Sequence, residues 1–346
     1  MFKKNNNKMN LKTPKQRKKI KLKYFIYLII IYFSFAYTFY YSMQKSDKIN
    51  NEAFINFLIN GGKVDNLSNF KVTNLINSTI NFILNIDITN PTSLLNSSIL
   101  KQNKIEKETI KLEHNDDYSN LEDLKEVSEY INDPNPTDIN NPIIYIYNTH
   151  QLENYNNKNL EIYGITPNVL MASYILREKL NKMGLSTIVE DTNIYEFLNL
   201  NGWDYVSSYK ATRLLILDKK NKYSSLKYFI DLHRDSVSKE LTTVSINDKT
   251  YAKVLFVVGL EHDNYKSNLE LATNINNLIN KYYPNLSRGI LKKEGKGVDG
   301  IYNQDLSSNS MLIEVGGVDN NIEEVFNTIE ALSIVLNYYI NGDENE

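Results

Sequence analysis

IIYIYNTHQLENY, residues 143–155, alternates apolar and aromatic side chains for half its length and then breaks into polar residues around one histidine, His150. The alternation predicts a strand. A strand that ends on an imidazole leaves two readings: a metal ligand delivered to the rim of a sheet, or a hydrogen-bonded loop histidine. The chain holds only four histidines, so each can be weighed.

Downstream, TPNVLMASYILREKLNKMG (166–184) predicts an amphipathic helix with Thr166 as N-cap, Pro167 in its first position and Gly184 as its end. STIVED is the next strand, WDYVSSYKATRLLILDKK a helix, and LKYFIDLHRDS a strand running into a polar loop. LTTVSINDKTYAKVLFVVG reads as a hairpin turning at Asn247 and Asp248. A helix over NLELATNINNLINKYY follows, then extended pieces near RGILKK and GIYNQ, the strand SMLIEVGG, and a last helix, NIEEVFNTIEALSIVLNYYI. Strands alternating with helices predict an α/β domain over 142–346 with a mostly parallel central sheet flanked by helices. Ligands of such sheets gather beyond the carboxyl ends of the strands.

Three strands end in chemically capable groups: IIYIY in Asn148, Thr149 and His150; YFIDL in His233, Arg234 and Asp235; SMLI in Glu314. If the three are parallel, their polar ends share one rim. Two imidazoles and a carboxylate at one rim suit Zn²⁺ with a position left open to water. Glu153, on the loop of His150, is a candidate third ligand, and Glu314 a candidate general base. The competing readings are structural. Glu314 pairs with Arg234 or Arg288; Asp231 either orients an imidazole or caps its strand; Arg234 either binds a substrate carboxylate or pairs with Asp235. Trp203 and the tyrosines of NGWDYVSSY line a groove or belong to the core. His114 and His262 read as solvent-facing.

The other half of the chain is organised differently. Residues 1–23 carry ten Lys and Arg and no acid, and YFIYLIIIYFSFAYTFYYSM (24–43) is uncharged and about the 20 residues a helix needs to span a bilayer. The pattern predicts a single-pass anchor in the cell membrane, N-terminus cytoplasmic and the rest extracytoplasmic. A cleaved signal peptide is the rival, without a small-x-small site near Ala36. Residues 44–141 read as a linker of low structure content, in which FINFLI and STINFILNI have the makings of one or two helices, and 101–141 is a charged tether closed by DPNPTD. The absence of cysteine removes disulfides and thiolate metal sites. With no phosphate-cradling glycine loop, no G-x-S-x-G elbow and no basic aromatic stripe in the soluble part, nucleotide hydrolysis, serine hydrolysis and nucleic-acid binding lose their support.

NTHQLENY, DLHRDS, KVLFVVG, YPNLSRGI, YNQDLSSNSMLIEVGG and NNIEE, in this order, resemble the stage II sporulation protein P family of endospore-forming bacteria, over about 142–340. The resemblance implies a zinc-dependent peptidoglycan hydrolase, amidase-like in fold: an N-acetylmuramoyl-L-alanine amidase with added endopeptidase activity. It further implies action at the asymmetric septum with stage II sporulation proteins D and M. By motif, His150 and His233 match metal histidines and Glu314 the catalytic base. Arg234 is a candidate to assist zinc at the oxyanion. Glu153 matches the acid of TH-x-x-E-x-Y; the wider amidase superfamily takes its third ligand from the next helix start, where ITPNV has no acid and Glu161 is the nearest alternative. Asn148 and Asn321 depart from the His and Thr usual in relatives. Two further readings stand beside it: a catalytically inactive wall-binding scaffold of the engulfment machinery, and a zinc peptidase or deacetylase of another extracytoplasmic polymer.

Overall fold

The alternation at 143–147 folds as expected: Ile144–Tyr147 form strand β1, and all four side chains are buried, which requires cover on both faces of the sheet. The computed structural model describes residues 14–46, 50–70, 133–135 and 139–342. The basic tail up to residue 13, the patch STINFILNI and most of the 101–141 tether, His114 included, lie outside the described residues. The chain divides into two units, residues 1–47 with 68–104 and residues 48–67 with 105–346.

In the first unit, helix α1 (Pro14–Ser46) runs without a break through the apolar span at 24–43. Its large side chains, Phe25, Tyr27, Leu28, Ile31 and Phe33 among them, are exposed. No helix among the described residues is long and apolar enough to cross a membrane. The anchor therefore rests on the sequence pattern alone.

The second unit draws in a segment expected to have little structure. FINFLI lies in helix α2 (Asn51–Ile59), where Asn50 caps the first turn by accepting from the Ala53 N–H. Phe54, Ile55 and Leu58 on one side of this helix are buried and pack toward α3 (Val169–Lys182). The end of the tether is bound there as well: Arg177 of α3 forks onto Asp133, and Asn56 donates to the Pro134 carbonyl at 3.1 Å.

The remaining elements are β2 (Thr187–Val189), α4 (Ile194–Leu200), α5 (Ser208–Lys222), β3 (Tyr228–Asp235), α6 (Lys239–Thr242), β4 (Thr243–Ile246), β5 (Lys249–Ala252), β6 (Val254–Gly259), α7 (Tyr265–Tyr282), β7 (Ser287–Lys293), β8 (Ser310–Gly317) and α8 (Ile322–Asn341). Six strands form one sheet in the order β2-β1-β3-β8-β6-β7. β2, β1, β3 and β8 are parallel, β6 is antiparallel to β8, and β7 is parallel to β6. The mostly parallel sheet flanked by helices is thus observed. β4 and β5 make a separate hairpin whose turn, Asn247 and Asp248, has φ of 48° and 62°, the left-handed pair a two-residue hairpin loop favours.

Three local expectations differ. Asn168, not Thr166, caps α3, because its side chain accepts from the Met171 N–H. α4 arises from NIYEFLNL, too short for its periodicity to stand out; Phe197 and Leu198 bury against Ala211 and Leu215 of α5. GIYNQ is not extended: Tyr302 and Asn303 have φ of 54° and 56°, and a 3-10 turn follows at Gln304–Leu306. This loop presses on β6 so closely that a Cβ on Gly259 would lie 2.3 Å from the Gly300 carbonyl oxygen.

α5 covers one face of the sheet only in part. Its Ile216 packs on Tyr145, Tyr147 and Phe229 of β1 and β3, while toward β8, β6 and β7 the same face opens into a cleft of about 250 Å³.

Phe54 tests whether α2 belongs to the folded unit. Phe54→Ala is expected to cost about 3 kcal/mol or more, the usual loss for a truncated buried aromatic. Chemical denaturation followed by the fluorescence of Trp203 measures it, and an unchanged midpoint would remove α2 from the core.

Candidate metal centre

Parallel register brings the three predicted strand ends together. β1 lies beside β3, and His233 of β3 is directly opposite Glu314 of β8. The loop after β1 is fastened at several points. Asn148 donates to the Leu232 carbonyl at 2.6 Å and accepts from Ser173 of α3, Gln151 bridges Thr192 and Ile194, and Tyr155 donates to the Val315 carbonyl at 3.1 Å. Asn148, the departure from the family pattern, is therefore a structural strut.

This loop carries His150 and Glu153 to His233. Nδ1 of His150 is 3.5 Å from Oε1 of Glu153, and Nδ1 of His233 is 3.3 Å from Oε2. The two imidazoles stand edge to face, centroids 5.1 Å apart. One donor atom from each of the three residues falls within 4.8 Å of the others, a geometry able to hold a metal ion. Glu161, the alternative third ligand, is exposed on a 3-10 turn (Glu161–Tyr163) away from the triad.

Asp231 orders the site from behind. Its carboxylate accepts from the Thr149 N–H at 3.0 Å and the Thr149 hydroxyl at 2.7 Å. Nε2 of His233 lies 2.9 Å from the same carboxylate, close enough to pair, though its angle is not that of a hydrogen bond and the atom has no such partner. A carboxylate on Nε2 leaves Nδ1 free to ligate, the outer-sphere role expected of Asp231. Charge follows this layout. Burial alone would raise Glu153, but His233, together with hydrogen bonds from His150, His233 and the Arg234 backbone, holds it far below the usual carboxylate range. Burial alone would lower His233, yet Asp231 and Glu153 lift it well above its ordinary value. The pocket draws positive charge to the place where a cation would sit.

Glu314 stands apart from these pairs. Neither Arg234 nor Arg288 reaches it: Arg288 pairs with Asp235 at 2.7 Å, and Oε2 of Glu314 is buried without a hydrogen-bond partner among the described residues. Burial pushes its carboxyl up to about 7, against the opposing pull of His233 and with Glu153 and the nearby aspartates adding to the rise. Arg234 reaches the triad through its main chain. Its guanidinium donates to the carbonyls of Asn154 at 2.9 Å and Asp235 at 3.3 Å, while its backbone N–H donates to Oε2 of Glu153 at 3.0 Å. Two of the guanidinium's five N–H groups are thus spent on main-chain oxygens, and the backbone N–H is the contact to the triad.

The tyrosines of NGWDYVSSY divide between the two readings. Tyr205 stacks on His150 with centroids 5.0 Å apart, and Tyr209 meets its edge at 5.6 Å; Trp203 instead packs on Phe197 with Lys210 over its ring. Tyr302, the first residue of YNQDLSSNSMLIEVGG, joins Tyr209 at 5.4 Å. Its left-handed backbone is unusual for a bulky residue and is held by its surroundings. Asp299 accepts from the Ile301 and Tyr302 N–H groups, Asn303 donates to the Tyr209 carbonyl at 2.9 Å, and Gln304 clasps β6 through Val257 and Gly259.

Asp231→Asn keeps the shape of this support and removes its charge. It is expected to weaken binding of a divalent transition metal about 10- to 100-fold, as read by calorimetric titration of the folded protein; an unchanged affinity would remove Asp231 from the site.

The family described as Stage II sporulation protein P (SpoIIP) matches residues 70–337 of this chain. The stage II sporulation protein P of Bacillus subtilis (strain 168) is 35% identical over 210 residues, which is 59% of this chain and 52% of that protein. The chain thus matches about half the length of this curated relative. Among solved structures, Cwp6 from Clostridium difficile aligns at 13% identity and a TM-score of 0.35, over 57% of this chain and 29% of that one. A succinylglutamate desuccinalase from Vibrio parahaemolyticus aligns at 12% identity and a TM-score of 0.33, over 60% and 68%. The family match covers well over half of the sequence, and the chain belongs to the stage II sporulation protein P family.

Proposed function

We propose that this protein is a zinc-dependent hydrolase of peptidoglycan, cleaving the amide between muramic acid and the stem peptide and, with it, peptide cross-links, on septal wall during sporulation. The observation that carries the reading is the half-buried carboxylate of Glu314, whose Oε2 is buried without a hydrogen-bond partner among the described residues, lining one cleft with a His-Glu-His triad. Burial of an acid without a partner is costly and is a feature of sites that move protons.

His150, Glu153 and His233 are the residues that would hold zinc, and zinc when bound supplies Lewis acidity that makes water a nucleophile near neutral pH. Asp231 fixes the orientation of His233. The Arg234 backbone steadies Glu153. Glu314, raised toward neutrality, takes a proton from the attacking water and returns it to the leaving nitrogen. Tyr205 and Tyr209 pack on His150 and restrict water on that side of the site.

The basic tail and the apolar span at 24–43 support a membrane anchor that sends the catalytic unit across the membrane, where stage II sporulation proteins D and M would meet it. A wall hydrolase has to face its polymer.

Glu314→Gln in the full-length, folded protein is expected to retain stoichiometric zinc and lose digestion of purified sacculi by at least about 100-fold, the contribution of a general base. His150→Ala is expected to lose both. In the wild type, activity falls on the acid side as Glu314 takes up its proton, at a pH above that of an ordinary carboxylate because its pKa is raised. Wild-type rates from a folded, zinc-free His150→Ala protein would sink the scheme and leave a scaffold. Mass spectrometry of the released products separates amidase from endopeptidase cleavage.

A further inference from the structure

The metal triad occupies one end of its cleft. From there the cleft runs over the bare face of the sheet, where Leu312 of β8, Leu255 and Val257 of β6 and Leu291 of β7 form an apolar floor, and Lys293 closes the far end. Register explains the line. Leu255 pairs with Glu314, Val257 pairs with Leu312 and Leu291, and Gly259 pairs with Lys293. Tyr209 and Tyr302 flank the passage.

Among the described residues that line the cleft, Lys293 is the one lysine or arginine; it is half-buried and forms no ion pair with another described residue. Glu261, on the adjoining loop, accepts from the Gly295 N–H instead. Every acid lining the cleft, Glu153, Asp235 and Glu314, stands at the metal end. A half-buried cation alone at the end of an apolar trough lacks an anion, and a bound ligand can supply one.

We propose that Lys293 is a specificity-determining residue that binds a carboxylate of the substrate's peptide portion, two or three residues beyond the scissile amide. The substrate class rests on the hydrolase reading above. Strand spacing and rise put the Cα atoms of Glu314 and Lys293 roughly 16 Å apart, and a lysine side chain reaches back about 6 Å of that, leaving about 10 Å, or three residues of extended chain. Stem peptides carry free carboxylates at that range, on the γ-linked glutamate and the diamino acid after it. The apolar floor accepts the intervening small side chains, and the tyrosines confine the chain laterally.

The test uses the full-length chain with Glu314→Gln, which holds ligand without turnover, and two probes: muramyl tripeptide with free carboxylates, and the same compound with those carboxylates amidated. Adding Lys293→Gln is expected to weaken binding of the free acid about tenfold or more, the worth of a charge-assisted hydrogen bond, and to leave the amidated probe unchanged; Lys293→Arg restores the difference. In the active protein the same change raises KM and leaves kcat in place. Equal effects on both probes, no effect on either, or no binding of the free acid by the parent would overturn the assignment. Lys293-dependent binding by a chain that digests no wall would uphold it while ending the hydrolase reading.

Discussion

The buried carboxylate of Asp231 is the constraint on which the site depends. It sits inside β3, where an unpaired charge would be prohibitively costly, and it is satisfied by the backbone and hydroxyl of Thr149 and by proximity to His233. Those contacts do two things at once. They clamp the loop after β1 to the neighbouring strand, which sets where His150 and Glu153 can be, and they orient the imidazole of His233. The loop position and the imidazole orientation are thus served by the same side chain.

Around that clamp the charges are sorted rather than neutralised. Glu153 is held ionised between two imidazoles and a backbone N–H. Glu314, one strand further on, is denied every such partner, so its proton is loosely held near neutral pH. Two carboxylates in one cleft shift in opposite directions because one has donors and the other does not. Asp235, at the same rim, is paired with Arg288.

The cleft itself comes from incomplete cover. α5 is long enough to bury β1 and β3 on one face, and the rest of that face is bounded instead by the loop that carries Tyr302. That loop stays in place because its backbone is over-determined. Consecutive left-handed residues are tied to Asp299, α5 and β6, and Gly259 has no Cβ to push it away. The backbone strain is located where an open sheet face would otherwise collapse or fill with side chains.

By itself the sequence determined the strand–helix alternation, the parallel character of the sheet and the three strand ends that carry chemistry, because periodicity and end residues are local properties of the chain. The hairpin turn at Asn247 and Asp248 is legible for the same reason. Tertiary structure alone decided which acid stands beside the imidazoles, since Glu153 and Glu161 differ only in how the loop is pinned to Asp231, Val315 and α3. It also decided that Arg234 donates from its guanidinium to two carbonyls, that α2 packs on α3 from a segment of weak local pattern, and that Tyr302 and Lys293 line the same cleft as the triad. Each of these depends on contacts between residues far apart in the chain, and such contacts leave no period to read.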